Sequence, residues 1–282
     1  MVTRKILGSN HVATLSVWES QQKRVGKRWR LRFPLLGLLL PVLLLGLWWL
    51  GAATGKLNVA FFSTPQAVLE TLGNLLSSGE LVSGFWDTLR RILAGAAIGF
   101  SAGAFLGGVT GYIRQIERVL DPTIQGLRAV PAVAWIPFLI LTLGIDDGPK
   151  IALIAVAIFF ITYVNTYAGV RGTDQKLIEL ASAYRLKRSL VIRRIIIPSA
   201  LPQVFVGLRL AAAIAWIAAV FSEILIGSSG LGVLLNDGRS LGRPDQTIAL
   251  MLVLAVAGKT TDGLIRLLEK RITRWRMTFA GV

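Results

Sequence analysis

The sequence predicts an all-α membrane protein of about six transmembrane helices, with both termini on the cytoplasmic side. Three observations lead there. Of 282 residues, 54% are hydrophobic and the mean hydropathy is +0.63, more apolar than a soluble domain of this length. Apolar runs of roughly 20 residues, long enough to cross a bilayer, recur at about 33–52, 88–112, 120–143, 151–170, 204–226 and 246–267. The basic residues are sided: of 31 Lys and Arg, 22 fall on the side of the two termini and 4 on the other, which turns the termini inward.

Composition also excludes several functions. The net charge of +16 does not indicate nucleic acid, because the basic residues separate apolar runs instead of forming a patch with stacking aromatics. There is no cysteine, hence no disulfide and no thiolate metal site. The one histidine, His11, lies in a polar tail, so no metal site and no histidine-based catalysis is expected. No paired-carboxylate, nucleophile-elbow or nucleotide motif is present, so no catalytic residue is assigned. Gly258-Lys259-Thr260 resembles the end of a phosphate loop, but Val253 stands where that motif needs glycine and the segment lies inside an apolar run. Lys259 and Asp262 are expected instead to pair on one helical face.

In chain order, residues 1–32 read as a basic cytoplasmic tail and 33–282 as the membrane domain, with its core at 88–267. Phe33–Leu50 precedes small residues, as a cleaved signal would, but the tail before it and the run itself are too long for one, so it is the first span. Thr64-Pro65 can cap and start a short surface helix that ends at Gly79, with Val68, Leu72, Leu75 and Leu76 on one face. The second span carries Gly95, Gly99, Gly103 and Gly107 at four-residue spacing, a ridge for close helix packing inside the protein. The third is interrupted by Pro131 and Pro137 and is expected to bend there.

Polar groups within spans are few and therefore informative. Arg128, Trp135, Asn165, Trp216, Ser222 and Glu223 are the candidates for a translocation pathway. Glu223 is either an outer-gate residue or an interfacial carboxylate. Arg128 either attracts an anion, or serves a structural pairing or snorkels to the inner surface.

Between the fourth and fifth spans lies a basic segment of about thirty residues, 171–203, too long for a simple turn. Glu179, Ala181 and Ala183 share a short helical pattern whose small side chains suit insertion into a cleft on a partner. Arg185 opens a second, basic pattern, and Pro198 and Pro202 are expected to set a rigid angle into the fifth span. The segment reads as a docking surface.

These residues resemble the cytoplasmic loop of binding-protein-dependent ABC-transporter permeases: Glu179-Leu-Ala181-Ser-Ala183-Tyr184-Arg185-Leu186, then Ile197-Pro198-Ser-Ala-Leu-Pro202 and Gly207-Leu-Arg209. Further blocks follow in order, among them Asp121-Pro122, Arg128-Ala-Val-Pro131-Ala-Val-Ala-Trp135, Asn165-Thr-Tyr-Ala-Gly169, Glu223 and Ser229-Gly230-Leu-Gly232. The subfamily resembled imports aliphatic sulfonates, taurine, nitrate or bicarbonate, and the similarity runs over about residues 60–275. It implies a type I importer permease fold in the inner membrane and a homodimer with the pathway at its axis. Two ATPase subunits that carry ATP and Mg would bind beneath, and a substrate-binding protein outside; this chain itself would bind no cofactor. Glu179, Ala181, Ala183, Arg185, Pro198 and Pro202 would then belong to the ATPase-coupling segment. The implied solute is a small anion, foremost an aliphatic sulfonate, with nitrate, taurine, bicarbonate or a thiamine-precursor-like solute as alternatives. An ATP-independent secondary transporter is the alternative of another class. The sequence departs from the family pattern at Leu180, for an alanine, and at Arg185, for a glycine, where a changed turn or an added ionic contact is expected.

Overall fold

The structure is a computed structural model and describes residues 33–55 and 62–273, the side chains from residue 39 onward. The calls on the tail 1–32, His11 included, lie outside the described residues. The chain divides into two units, 1–59 and 60–282. In the first, α1 (Phe33–Ala53) is a continuous helix through Pro41, which covers the first predicted span.

The second unit opens with α2 (Pro65–Ser77). The Thr64 hydroxyl accepts from the Ala67 amide, Pro65 fills a first-turn position whose N–H would have no partner, and Gly79 at φ 81° turns the chain. Val68 and Leu75 are buried as the apolar face predicts and Leu72 is half-buried, but Leu76 is exposed, one position past Leu75 around the helix. Then come α3 (Glu80–Tyr112) and α4 (Arg114–Arg128), followed by a 3-10 turn at Ala132–Trp135 and α5 (Ile136–Leu143). After them run α6 (Asp147–Arg171), α7 (Gln175–Ala183), α8 (Arg188–Val191), a π-turn at Ile192–Ile196, α9 (Ile197–Ile226), α10 (Leu231–Ser240) and α11 (Pro244–Ile272). Four described stretches are long and apolar enough to span a membrane: α3, α6, Arg188–Ile226 and α11.

The predicted third span differs. It is two helices, α4 and α5, meeting at 92° across a break at 129–131. Pro131 ends helical geometry at this break, with φ −55° and ψ 136°. Pro137 falls in the first turn of α5, where its missing donor costs nothing. The basic segment between the second and third predicted spans, with Arg114 and Arg118, is itself helical, since α4 starts directly after α3. Such a break is stable at membrane depth only if protein or a water-filled cavity surrounds it.

The core is α6, packed between α3 and α9. Along α3, Gly95, Gly99, Gly103 and Gly107 are all buried against it. A Cβ on Gly99 would stand 2.3 Å from the Ala155 carbonyl oxygen, and one on Gly107 2.5 Å from that of Tyr163. The ridge therefore serves packing within the protomer, and only glycine permits backbones this close. On the other side of α6, Gly207 of α9 lies against Asn165, whose Oδ1 accepts from Gln203 at 3.0 Å. The two tyrosines Tyr163 and Tyr167 stack with ring centroids 6.3 Å apart and reach across to α4: Tyr163 donates to Asp121 at 3.1 Å and Tyr167 to Glu117 at 2.5 Å. Arg171 also pairs with Glu117.

The segment before α9 also corrects an expectation. The basic pattern from Arg188 does not stand apart from the fifth span; it is its first part, continuous to Ile226. Pro198 and Pro202 set no sharp exit angle. Both lie inside the helical run, and each removes an amide donor that an i−4 carbonyl would use. A π-turn just before them is the local adjustment that such prolines allow in membrane helices.

Candidate functional site

α6 and α9 both run from one end of the unit to the other. At about 1.5 Å per residue, the 25 residues of α6 span roughly 37 Å. A buried ion network closes one end, and the α7 loop closes the other.

The network centres on Arg91 of α3 and Glu223 in the last turn of α9, whose side chains are 2% and 0% exposed. All three guanidinium nitrogens of Arg91 donate. Nε donates to Asp147 at 2.8 Å, Nη1 to Glu223 and to the Ser229 carbonyl, both at 2.8 Å, and Nη2 to the Ser229 hydroxyl at 2.9 Å. Glu223 also accepts from the Thr88 hydroxyl at 2.8 Å and from the Gly232 amide at 2.8 Å, while Leu231 N–H donates to Thr88 at 2.9 Å. Asp147, in the first turn of α6, is bonded besides by Arg90 at 2.6 Å and lies 3.4 Å from Lys150. Two buried opposite charges, each held by several hydrogen-bond partners, are tolerable where one alone would not be.

The Ser229-Gly230-Leu-Gly232 block acquires its reason here. Gly230 has φ 118°, and a Cβ on it would sit 2.3 Å from the Glu223 carboxyl carbon; on Gly232 it would lie 2.6 Å from the Val220 carbonyl oxygen. The loop wraps the carboxylate so closely that side chains do not fit. Glu223 is thus neither at an interface with solvent nor lining a gap in this conformation. It ties α9 to α3, α6 and the start of α10.

At the opposite end, α7 begins with the Asp174 side chain capping the Lys176 amide at 2.9 Å. Ala181 is buried, at 3% exposure, while Glu179 and Ala183 are exposed. Arg185 is the only non-glycine with positive φ among the described residues, at 51°. Its amide bonds the Ser182 carbonyl at 3.0 Å, and the Leu186 amide bonds that of Ala181 at 3.0 Å. This pair of bonds is a Schellman motif with arginine in the left-handed position that glycine usually takes. The expected change of turn does not occur: the turn is kept, and arginine carries its strain.

The other predicted residues are dispersed. Arg128 is exposed at the end of α4, beside the break. Trp135 is half-buried, and its indole nitrogen is buried with no hydrogen-bond partner. Trp216 is core, its N–H on Thr261 at 3.2 Å and its ring 6.2 Å from Phe85. Ser222 is fully buried and donates to the Ala219 carbonyl at 2.8 Å. Asp262 is bonded by Arg209 at 2.7 Å and by Arg266 at 3.3 Å, so the predicted Lys259 pairing is replaced by a tie between α9 and α11. Sequence reasoning missed Arg91, Thr88 and Asp147. A charge three turns into an apolar helix was the available signal for Arg91.

An all-helical bundle with several bilayer-length helices, a broken span and a helical loop at one end defines a multi-pass membrane transport component. The chain belongs to the family of binding-protein-dependent transport system inner membrane components, whose family model matches residues 93–274. Relatives agree. The chain is 36% identical over 87% of its length to a Bacillus subtilis protein named as the aliphatic sulfonates transport permease SsuC, covering 89% of it. It is 29% identical over 82% of its length to the taurine transport system permease TauC of Escherichia coli, covering 86% of that protein. With the bicarbonate permease CmpB of Synechococcus elongatus it shares 28% identity over 88% of this chain and 93% of that one. Among solved structures, an amino acid ABC transporter chain superimposes with a TM-score of 0.58 at 19% identity, covering 71% of this chain and 97% of that chain. A chain of the inward-facing methionine transporter MetNI gives 0.55 at 20%, covering 69% and 95%. These last two establish the fold. The protein is therefore an ABC importer permease subunit of the inner membrane, not an enzyme, and nothing favours an ATP-independent transporter.

Proposed function

We propose that two copies of this chain form the pathway of an ATP-driven importer for a small anion, an aliphatic sulfonate. Two ATPase subunits would dock beneath it, and an extracytoplasmic substrate-binding protein would deliver the solute. The observation that carries the solute class is the 36% and 35% identity to two proteins named as aliphatic sulfonates permeases, against 29% for the taurine and 28% for the bicarbonate permease. The excess of basic residues on the side of the 171–203 loop supports placing that loop, and both termini, in the cytoplasm.

The mechanism is alternating access. ATP binding draws the ATPase pair together and moves α7, whose exposed Glu179 and Ala183 meet the ATPase while buried Ala181 seats the helix on this chain. Displacement at that end passes along α6 and α9, which the Gly207–Asn165 contact and the Asn165–Gln203 bond hold together while the glycine ridge keeps α3 on α6, to the Arg91–Glu223 end. Pro198 and Pro202, beside the π-turn, let α9 flex where it meets the loop. At the break between α4 and α5, exposed Arg128 attracts the anion, and half-buried Trp135 lines its path. Asn165, Trp216, Ser222 and Glu223 brace the walls.

The test is uptake of a labelled alkanesulfonate by the complex of permease, ATPase and binding protein in proteoliposomes, with taurine, bicarbonate and nitrate as competitors. ATP-dependent uptake inhibited best by other alkanesulfonates is expected. Uptake without ATP, or inhibition by bicarbonate or nitrate alone, would overturn the reading. Arg128→Gln should raise KM for the anion, and an unchanged KM and rate would remove Arg128 from the pathway.

A further inference from the structure

We propose that this chain holds one anionic phospholipid, its phosphate on Arg185 and Arg188 below α7 and an acyl chain in an apolar groove between α3, α6 and α9. Two adjoining cavities carry the proposal. The first, of about 660 Å³, lies among α7, α8 and the ends of α3 and α6; Arg171, Arg185 and Arg188 line it and no acidic residue does. Arg171 is paired with Glu117, whereas Arg185 and Arg188 are exposed. Thr173 also lines it, with a buried hydroxyl that has no hydrogen-bond partner.

The second, of about 380 Å³, is almost wholly apolar, walled by residues such as Phe105, Val109, Ile197, Leu201 and Val204. Tyr112, Val170 and Ile196 line both cavities, so they meet there. Gly108 keeps the groove open: a Cβ on it would meet only the Thr166 methyl, at 3.9 Å. A basic head joined to an apolar channel has the amphipathic order of a phospholipid and not of a free anion. Charge complementarity selects an anionic headgroup over a zwitterionic one, since each Arg near a negative headgroup adds favourable binding. The inference does not depend on which solute is carried.

The absence of cysteine makes the test clean, because Ile197→Cys carries a single fluorophore at the rim of the groove. The labelled permease, with its ATPase bound, is placed in phosphatidylcholine vesicles containing brominated phosphatidylglycerol or brominated phosphatidylcholine. Stronger quenching by brominated phosphatidylglycerol is expected. Arg185→Gly with Arg188→Gln should raise the concentration for half-quenching on the order of tenfold. Glycine suits the turn at 185, so this variant keeps the loop folded. Gly108→Leu, which fills the groove, should lower quenching by both lipids. Equal quenching by the two lipids would overturn the proposal, as would none by either, which would mean that another protein segment covers the groove. Displacement by inorganic phosphate in the Gly108→Leu variant and the parent alike would show a simple anion site instead. Loss of bound ATPase from the double variant without any change in quenching would assign the arginines to the ATPase.

Discussion

Arg91 and Glu223, 132 positions apart in the chain, meet at 2.8 Å with both side chains almost free of solvent. The pair joins the second membrane helix to the end of the fifth and fastens the loop that follows. Breaking one side of such a pair leaves a buried charge unpaired and costs about 3–5 kcal/mol. Arg91→Met should therefore lower the melting temperature of the detergent-solubilised protein sharply. Glu223→Gln keeps acceptor capacity for Thr88 and should fall less far. Equal, small changes in both would mean that the network does not brace this end.

Gly99 tests the ridge. With a Cβ only 2.3 Å from the Ala155 carbonyl, Gly99→Ala forces α3 and α6 apart and should destabilise by about 1–3 kcal/mol, as overpacking does. Gly73, in α2 with open space around it, is the control: Gly73→Ala should gain about 0.5–1 kcal/mol from helix propensity. Thermal unfolding of the two variants side by side decides it, and the signs should be opposite.

Arg185 holds φ 51° at the end of α7, where glycine would pay no steric penalty. Arg185→Gly should stabilise the loop by about 1 kcal/mol, and Arg185→Ala should change it little, since alanine keeps the Cβ clash. Hydrogen exchange of the Leu186 amide, which closes the motif, reports this locally. Faster exchange in the glycine variant would contradict the strain.

Glu179 stands exposed on α7 with no ion pair to this chain among the described residues. Glu179→Arg reverses its charge without disturbing the buried Ala181 and should abolish ATP-driven uptake and reduce retained ATPase. The protein should still insert in the membrane at normal abundance. Undiminished uptake would sink the docking role.

Much of this was legible in the chain because the bilayer imposes simple rules. Length and apolarity located spans at about 33–52, 88–112 and 151–170, and the structure has helices there at 33–53, 80–112 and 147–171. The four-residue glycine spacing announced a close helix contact, and Thr64-Pro65 announced a cap, since both depend only on neighbours along one helix. The family blocks identified the permease. What the sequence could not decide was every relation that needs two distant segments. The prolines at 131 and 137 announced a bend, but its 92° depends on what α4 and α5 pack against. Asp262 lies three residues from Lys259, yet it joins Arg209 because α9 passes beside α11 and local spacing only proposes partners. Arg185 keeps the glycine turn because its strain is smaller than what the surrounding helix ends gain by holding it. Glu223 looked like a pathway or interfacial group while its partners were unknown. Only the tertiary structure, by bringing Arg91, Thr88 and the Gly232 amide around it, decided that a carboxylate in an apolar helix is a fastening, because a buried charge is stable only where its counter-charge and donors are already in place.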